Sequence, residues 1–265
     1  TQSSGVTLGS SDSEITMAGS ITAAHDITLL GTITSVEVDD ASKETLPKIT
    51  AGSDKAINLG SPTSDQVTYS GPNLYLNSSV NNNARVINRG TLTPNQSFTN
   101  NNNAQFINSG TLTANQSFTN NGSATGTSSA ILNLKNDFTD NGKWESEETL
   151  VINGTGTQNF TPQSTGSTYN KILIQKTAAP TDDEVIFTDA NTLNAKTVTI
   201  ENNDTTNFKG PVSIGTLNDV AASSEAPGSV TINGGGTIST ATLNTTGDLT
   251  VTSYAGLTIT NLTHT

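Results

Sequence analysis

Two consecutive segments of the chain are near-copies, and this repeat constrains the fold more than any other feature of the sequence. Residues 81–100 read NNNARVINRGTLTPNQSFTN and residues 101–120 read NNNAQFINSGTLTANQSFTN, and the two are identical at sixteen of twenty positions. A third, more divergent copy keeps the same spacing, because Phe138 follows Phe118 by twenty residues. A period of about 20 residues is that of one coil of a solenoid, in which each repeat stacks on the next.

Within each copy the apolar residues fall into three clusters, which in the first copy are Val86 with Ile87, then Leu92, then Phe98. Leucine-rich repeats share the period, but they need several leucines and a helix or tight turn in each unit. Here the clusters show no helical periodicity, and Gly- and Asn-rich segments separate them. We therefore predict an all-β fold: a right-handed parallel β-helix with about 20 residues and three short strands per coil.

Stacking of the coils predicts which side chains become neighbours. Successive coils lie about 4.8 Å apart, so equivalent residues stand directly above one another. We expect one internal stack of apolar side chains, formed by Phe98, Phe118 and Phe138 together with Leu92, Leu112 and Leu132. We also expect a corner ladder of amides bonded along the axis, formed by Asn101, Asn121 and Asn141.

The composition agrees with a thin core and argues against several classes of partner. Hydrophobic residues make up 31% of the chain, but charged residues are only 13%, which is too few for a typical disordered segment. The net charge is −12, and nucleic acids and anionic membrane surfaces both attract basic proteins. We expect no nucleic-acid partner and, without a long apolar run, no membrane span within this chain.

The repeat divides the chain into three parts of one predicted solenoid, residues 1–265. Irregular N-terminal coils occupy 1–80, regular 20-residue repeats occupy 81–165, and C-terminal coils with protruding loops occupy 166–265. Short VTL- and ITL-type segments mark the irregular parts, and their alternation places apolar residues inward and Thr outward.

Three segments that lack this alternation are predicted to be protruding loops: 143–148, 177–184 and 221–228. The first contains Trp144, the only tryptophan of the chain. An exposed aromatic residue can anchor an interface, so Trp144 is a candidate contact residue. The alternative is that Trp144 is a hydrophobic plug beneath the loop.

A search for chemistry yields no catalytic, cofactor-binding or metal-binding residue. The aspartate pair at 182–183 is similar to that of pectinase-like β-helix enzymes, but His25 and His264 are isolated near the two ends. The pair at 39–40 and the Gly-rich segment 233–236 do not reproduce a calcium-binding repeat. We predict a non-enzymatic protein without a cofactor, and a polysaccharide-active enzyme is the remote alternative.

The segment GTLTANQSFTNNG at 110–122, the GxITL-type strands and the Asn-Gly corners resemble passenger regions of filamentous-haemagglutinin-like adhesins and autotransporters. The resemblance extends over most of the chain and lies in the general character of the sequence, not in a unique signature motif. It implies secretion across an outer membrane, a right-handed β-helix and a role in adhesion. It carries no catalytic residue to this chain.

Two functions follow as expectations. The first is an extracellular cell-surface structural protein, an adhesin-like passenger or stalk that contacts a host or neighbouring cell. The second is a self-assembling subunit of an extracellular filament, sheath or surface layer. In that case identical subunits would stack end to end, because the ends of a solenoid carry unpaired backbone groups.

Overall fold

The structure, a computed structural model, shows the chain as a succession of β-strands. It describes residues 5–17, 20–35, 47–61, 66–163, 166–176, 184–188, 191–201, 205–220, 229–232, 237–245, 248–251 and 256–264. These ranges contain no helix, and therefore none of their segments is a helix long and apolar enough to cross a membrane.

Thirty strands follow one another along the described chain. The first ten are β1 (Val6–Leu8), β2 (Glu14–Met17), β3 (Ser20–Thr22), β4 (Ile27–Leu29), β5 (Gly31–Ser35), β6 (Lys48–Thr50), β7 (Ala56–Leu59), β8 (Gln66–Ser70), β9 (Leu74–Leu76) and β10 (Ser79–Asn82). The next ten are β11 (Arg85–Asn88), β12 (Thr91–Pro94), β13 (Phe98–Asn100), β14 (Gln105–Asn108), β15 (Thr111–Ala114), β16 (Phe118–Asn120), β17 (Ser123–Gly126), β18 (Ile131–Leu134), β19 (Phe138–Asp140) and β20 (Lys143–Ile152). The last ten are β21 (Gln158–Thr161), β22 (Thr168–Ile174), β23 (Glu184–Phe187), β24 (Leu193–Glu201), β25 (Thr205–Phe208), β26 (Val212–Val220), β27 (Ser229–Ile232), β28 (Thr237–Thr245), β29 (Asp248–Val251) and β30 (Gly256–His264).

The strands pair in parallel into three walls. Sheet A has twelve strands in the order β1-β4-β7-β10-β13-β16-β19-β21-β23-β25-β27-β29. Sheet B runs β2-β5-β8-β11-β14-β17-β20. Sheet C runs β3-β6-β9-β12-β15-β18-β20-β22-β24-β26-β28-β30. The predicted all-β parallel solenoid with about 20 residues per coil is confirmed, and its right hand stays a prediction.

The predicted internal stack is confirmed. Phe98 pairs with Phe118 and Phe118 with Phe138 in sheet A, and their ring centroids are 5.0 and 5.8 Å apart with nearly parallel planes. The column continues to Phe160, whose ring lies 4.5 Å from that of Phe138. On the opposite wall, sheet C aligns the three predicted leucines Leu92, Leu112 and Leu132. All of these side chains are buried in one core.

Successive coils approach closely at two corners between sheets B and C, where Gly90 and Gly110 lie. A Cβ atom added at Gly110 would collide with the carbonyl oxygen of Gly90, one coil earlier. The backbone of Thr111, beside this glycine, donates to that same carbonyl at 2.9 Å. Glycine at position 110 therefore lets this corner pack directly against the corner of the coil before it.

The segment 143–148 is not the predicted loop, because it forms the first part of β20. In this strand Trp144, Ser146 and Glu148 face inward, whereas Lys143, Glu145 and Glu147 face outward. Strand β20 pairs with β17 of sheet B through its first part and with β18 of sheet C through its last part. Three short strands per coil are therefore found only up to β19, and later coils combine one short strand with one long bent strand.

The other two predicted loops lie largely or wholly outside the described residues. Of the segment 177–184, the structure describes only Glu184, which begins β23. The segment 221–228, the acidic pairs at 39–40 and 182–183 and the Gly-rich segment 233–236 are likewise outside the described ranges.

Candidate functional site

A buried ladder of amide side chains lines the interior corner between sheets A and B. Asn82 donates through Nδ2 to Oδ1 of Asn100 at 2.8 Å, Asn100 to Asn120 at 2.7 Å, and Asn120 to Oδ1 of Asp140 at 2.8 Å. All four side chains are buried. Every bond runs in the same direction, from one coil to the next along the chain.

The aspartate at the end of this ladder is chemically suited to its position. An asparagine there would need a further acceptor for its amide protons, whereas a carboxylate only accepts. The second oxygen of Asp140 accepts hydrogen bonds from Ser167 Oγ and Tyr169 OH, each at 2.8 Å. Burial, and then the charge of Asp140, raises the pKa of Tyr169 well above its usual value. Asp140 therefore connects the ladder to the following coil.

A second buried ladder lies at the corner between sheets B and C and also ends in a carboxylate. Asn88 donates to Asn108 at 2.9 Å, and Asn108 donates to Oε2 of Glu148 at 2.6 Å. Ser146 Oγ donates to the other oxygen of Glu148 at 2.9 Å. Glu148 thus lies where β20 passes from sheet B to sheet C, whereas Asp140 lies at the corner between sheets A and B.

Glu148 reaches Asn108 across an intervening coil, and Gly126 provides the space. In the register of sheet B, Gly126 stands opposite Asn108, at the place where another asparagine would continue the ladder. A Cβ atom at Gly126 would lie 2.5 Å from Ser146 Oγ and 2.9 Å from Cδ of Glu148. The missing side chain therefore lets a carboxylate from two coils away end the ladder.

Substitution of Gly126 by alanine should lower the free energy of unfolding by about 1–3 kcal/mol, because the added methyl group would collide with the buried side chains of Ser146 and Glu148. Urea or thermal unfolding would measure the loss. Thr125→Ala is the matched control, since Thr125 is the neighbouring, partly exposed residue of β17. Equal stability of Gly126→Ala and Thr125→Ala would contradict the role assigned to the glycine.

The predicted corner ladder is found in part. Asn141 donates to Asn121 at 3.0 Å, as expected, and Asn101 donates to Asn83 at 2.6 Å. These residues line the outside of the corner, whereas the buried ladder lies one residue earlier in each coil. The sequence analysis missed the buried ladder, although one signal was present. Asn100 is two residues after Phe98, so alternation places both on the inner face.

The outside of sheet A carries a regular polar surface, which we call the polar lattice. Three successive coils, reading NSSVNNN, NQSFTNN and NQSFTNN, each present four uncharged, partly or fully exposed side chains in register. The lattice consists of Asn77, Ser79, Asn81, Asn83, Asn95, Ser97, Thr99, Asn101, Asn115, Ser117, Thr119 and Asn121. The lattice extends roughly 20 Å along the strands and roughly 10 Å along the solenoid axis.

Hydrogen bonds between coils fix both borders of the polar lattice. On one border Asn95 donates to Asn77 at 2.6 Å and Asn115 donates to Asn95 at 2.7 Å. On the other border Asn101 donates to Asn83 at 2.6 Å. The amide side chains at both edges are thus held in one arrangement before any partner arrives.

The remaining candidates from the sequence do not form a site. Trp144 is 1% exposed and packs its ring against Phe118 and Phe138, so it is a core residue and not a contact residue on a loop. His25 is exposed, and the side chain of His264 lies outside what the structure describes. Among the described residues, no three His, Cys, Asp or Glu side chains converge as a metal site.

One open groove lies at the corner between sheets C and A. The protruding corner at 51–55 overhangs the shorter corner at 77–78 of the next coil, and the space between them is about 630 Å³. The serine in the shorter corner, Ser78, already bonds to the backbone of Ala51. The groove is polar and adjoins the polar lattice at Asn77 and Ser79.

Comparison of the chain with protein-family models, characterised proteins and solved structures found no match.

Proposed function

We propose that the chain is a non-enzymatic, extracellular surface scaffold of the adhesin type, which contacts a host or neighbouring cell through the polar lattice. The observation that carries the proposal is the repetition of the same four polar positions in three successive coils. A surface repeated at about 4.8 Å along an axis can offer the same hydrogen-bonding groups many times to an extended partner.

The distribution of charge is compatible with contact through this face. The chain has a net charge of −12, and a protein of that charge is repelled from an anionic cell surface. The polar lattice contains no ionisable side chain. Charge first returns in the following coil, at Lys135 and Asp137. The side chains of the lattice itself therefore add no charge repulsion when the protein approaches an anionic surface.

The ordered borders of the lattice also favour binding. Association costs about 0.5–1.5 kcal/mol for each flexible side chain that becomes immobilised. Asn95, Asn115 and Asn101 are already hydrogen-bonded to the coil before them. The buried ladder that starts at Asn82, at the edge of sheet A, adds rigidity, because it carries its bonds from coil to coil. Little conformational freedom remains to be lost on contact.

A charge placed in the lattice tests the proposal. Thr119→Glu adds a carboxylate at the centre of the last lattice row and should reduce the attachment of protein-coated fluorescent beads to epithelial and bacterial cells about tenfold, equivalent to about 1.4 kcal/mol. The matched control is Thr113→Glu, because Thr113 has similar exposure at an outward position of β15 in sheet C. It adds the same charge to the same coil on another wall.

Equal attachment of beads carrying Thr119→Glu and Thr113→Glu would contradict the proposed contact face. Loss of attachment with both would show that net charge alone controls it. Sedimentation of the purified protein separates the alternative function, since a subunit of a filament or sheath should form larger species as concentration rises. A single 27.4 kDa species at all concentrations would argue against that alternative.

A further inference from the structure

Glu148 is a buried acid that the proposed contact face does not use. Its side chain is 1% exposed, and it stands where β20 bends from sheet B into sheet C. The pairing of β20 with β22 shifts between Ser146 and Thr149, which marks an irregularity at this bend. The carboxyl group points through the space above Gly126 to Asn108.

No cation from the neighbouring strands faces this carboxyl group. Strands β17 and β18, which flank β20 on one side, contain no ionisable residue. Strand β22 on the other side contributes Lys171, which is exposed, and Tyr169, which bonds to Asp140. On β20 itself Lys143 and Glu145 form an exposed ion pair, and Glu147 is also exposed.

The two hydrogen bonds of Glu148 can persist in either protonation state. When the group is ionised, both oxygens accept, from Asn108 Nδ2 and from Ser146 Oγ. When a solvent proton adds to Oε1, that oxygen can donate to Ser146 Oγ, and Oε2 still accepts from Asn108. The difference between the two states is therefore the buried charge. Burial raises the pKa of Glu148 to about 7, although the two hydrogen bonds oppose the shift.

We propose that Glu148 is a proton-controlled joint of the solenoid, which holds β20 firmly against the preceding coils when neutral and loosens this contact when ionised. An isolated buried charge is relieved by movement toward water, and that movement breaks the bond to Asn108. This joint is independent of the polar lattice and of the partner proposed for it. The contact between β20 and the preceding coils is therefore more stable at mildly acidic pH than at alkaline pH.

The sign follows from the linkage of protonation to folding. The pKa of Glu148 in the folded chain, about 7, lies above its ordinary value of 4.5. The stabilising effect of the bound proton is therefore complete below about pH 4.5 and is lost as the pH rises through about 7. Loosening is expected on the alkaline side.

Trp144 provides the readout, because it is the only tryptophan, lies on the same strand and is 1% exposed. Quenching of its fluorescence by acrylamide should increase about twofold between pH 5.5 and pH 8.5, with a midpoint near pH 7. Glu148→Gln should remove this transition, because glutamine keeps an acceptor for Asn108 and carries no charge. Glu147→Gln is the matched control and should behave as the original chain does.

Direct titration of the side-chain carboxyl carbons by ¹³C NMR in the original chain supplies a test if Glu148→Gln does not fold. Agreement between the Glu148 titration midpoint and the midpoint of the quenching transition would support the joint. The proposal is overturned by quenching that does not change with pH, by a transition that persists in Glu148→Gln, or by a Glu148 midpoint below pH 5.

Discussion

Replacement of Phe118 by alanine is expected to lower the free energy of unfolding by about 3–5 kcal/mol, as deletion of a fully buried aromatic ring does. Phe118 is 0% exposed and lies between Phe98 and Phe138 in the aromatic column. Its ring lies 5.0 Å from that of Phe98 and 5.8 Å from that of Phe138, and Trp144 packs edge-on at 6.0 Å. Because the column is only one ring wide, removal of this ring leaves a cavity that neighbouring coils cannot fill without breaking their pairing.

Urea unfolding followed by circular dichroism measures the effect of Phe118→Ala. Thr119→Ala is the control, since Thr119 is the next residue on β16 and faces outward. Its expected effect is within about 0.5 kcal/mol, as for most surface substitutions. A loss below about 1 kcal/mol for Phe118→Ala would mean that the ring is not at the centre of a packed column.

The repeat made the central part of the fold predictable. Identity between two copies fixes the register, and register fixes which side chains stack, so the column through Phe98, Phe118 and Phe138 followed directly. The coil before the two copies is two residues shorter, since Val80 pairs with Phe98, eighteen residues later. A constant coil length is what allowed these neighbours to be inferred without any other information.

The join of sheets B and C could not be predicted in the same way. Charged residues between 143 and 148 indicated a loop, since strands are usually poor in charge. The structure shows that the outward-facing charges of Lys143, Glu145 and Glu147 alternate with inward-facing residues, one of which is the charged residue Glu148. What changes at this point is the corner: Gly126 leaves a space in one coil and Glu148 fills it from the next. Gly126 and Glu148 are far apart in sequence, so no local sequence pattern indicates that one fills the space left by the other.

The candidate site was predictable in part. The external amide ladder followed from the repeated asparagines, and its bond between Asn141 and Asn121 is present. The polar lattice needed the register of three coils, one of which is offset by eighteen residues. The fold alone does not identify the partner of such a surface, because one scaffold can serve many functions through different exposed side chains.

Replacement of Asn120 by aspartate is the second substitution with a large expected effect, about 3–5 kcal/mol at pH 7.5, because it places an unpaired charge in the interior. Asn120 donates to Oδ1 of Asp140 at 2.8 Å and also to the backbone oxygen of Lys143. An aspartate donates to neither when ionised, and its carboxylate would lie against that of Asp140. Two buried carboxylates at this distance cannot both be ionised without a large cost.

Asn121→Asp is the matched control, because it makes the same chemical change one residue later, at a partly exposed outward position. Its effect should stay within about 0.5 kcal/mol. In Asn120→Asp the neighbouring carboxylate of Asp140 raises the pKa of the introduced carboxyl group, so its proton is bound more tightly in the folded chain than in the unfolded one. The difference in the free energy of unfolding between the original chain and Asn120→Asp should therefore become smaller as the pH is lowered from 7.5 to 4.5. Equal unfolding curves for Asn120→Asp and Asn121→Asp at pH 7.5 would show that the interior amide ladder does not hold the coils together.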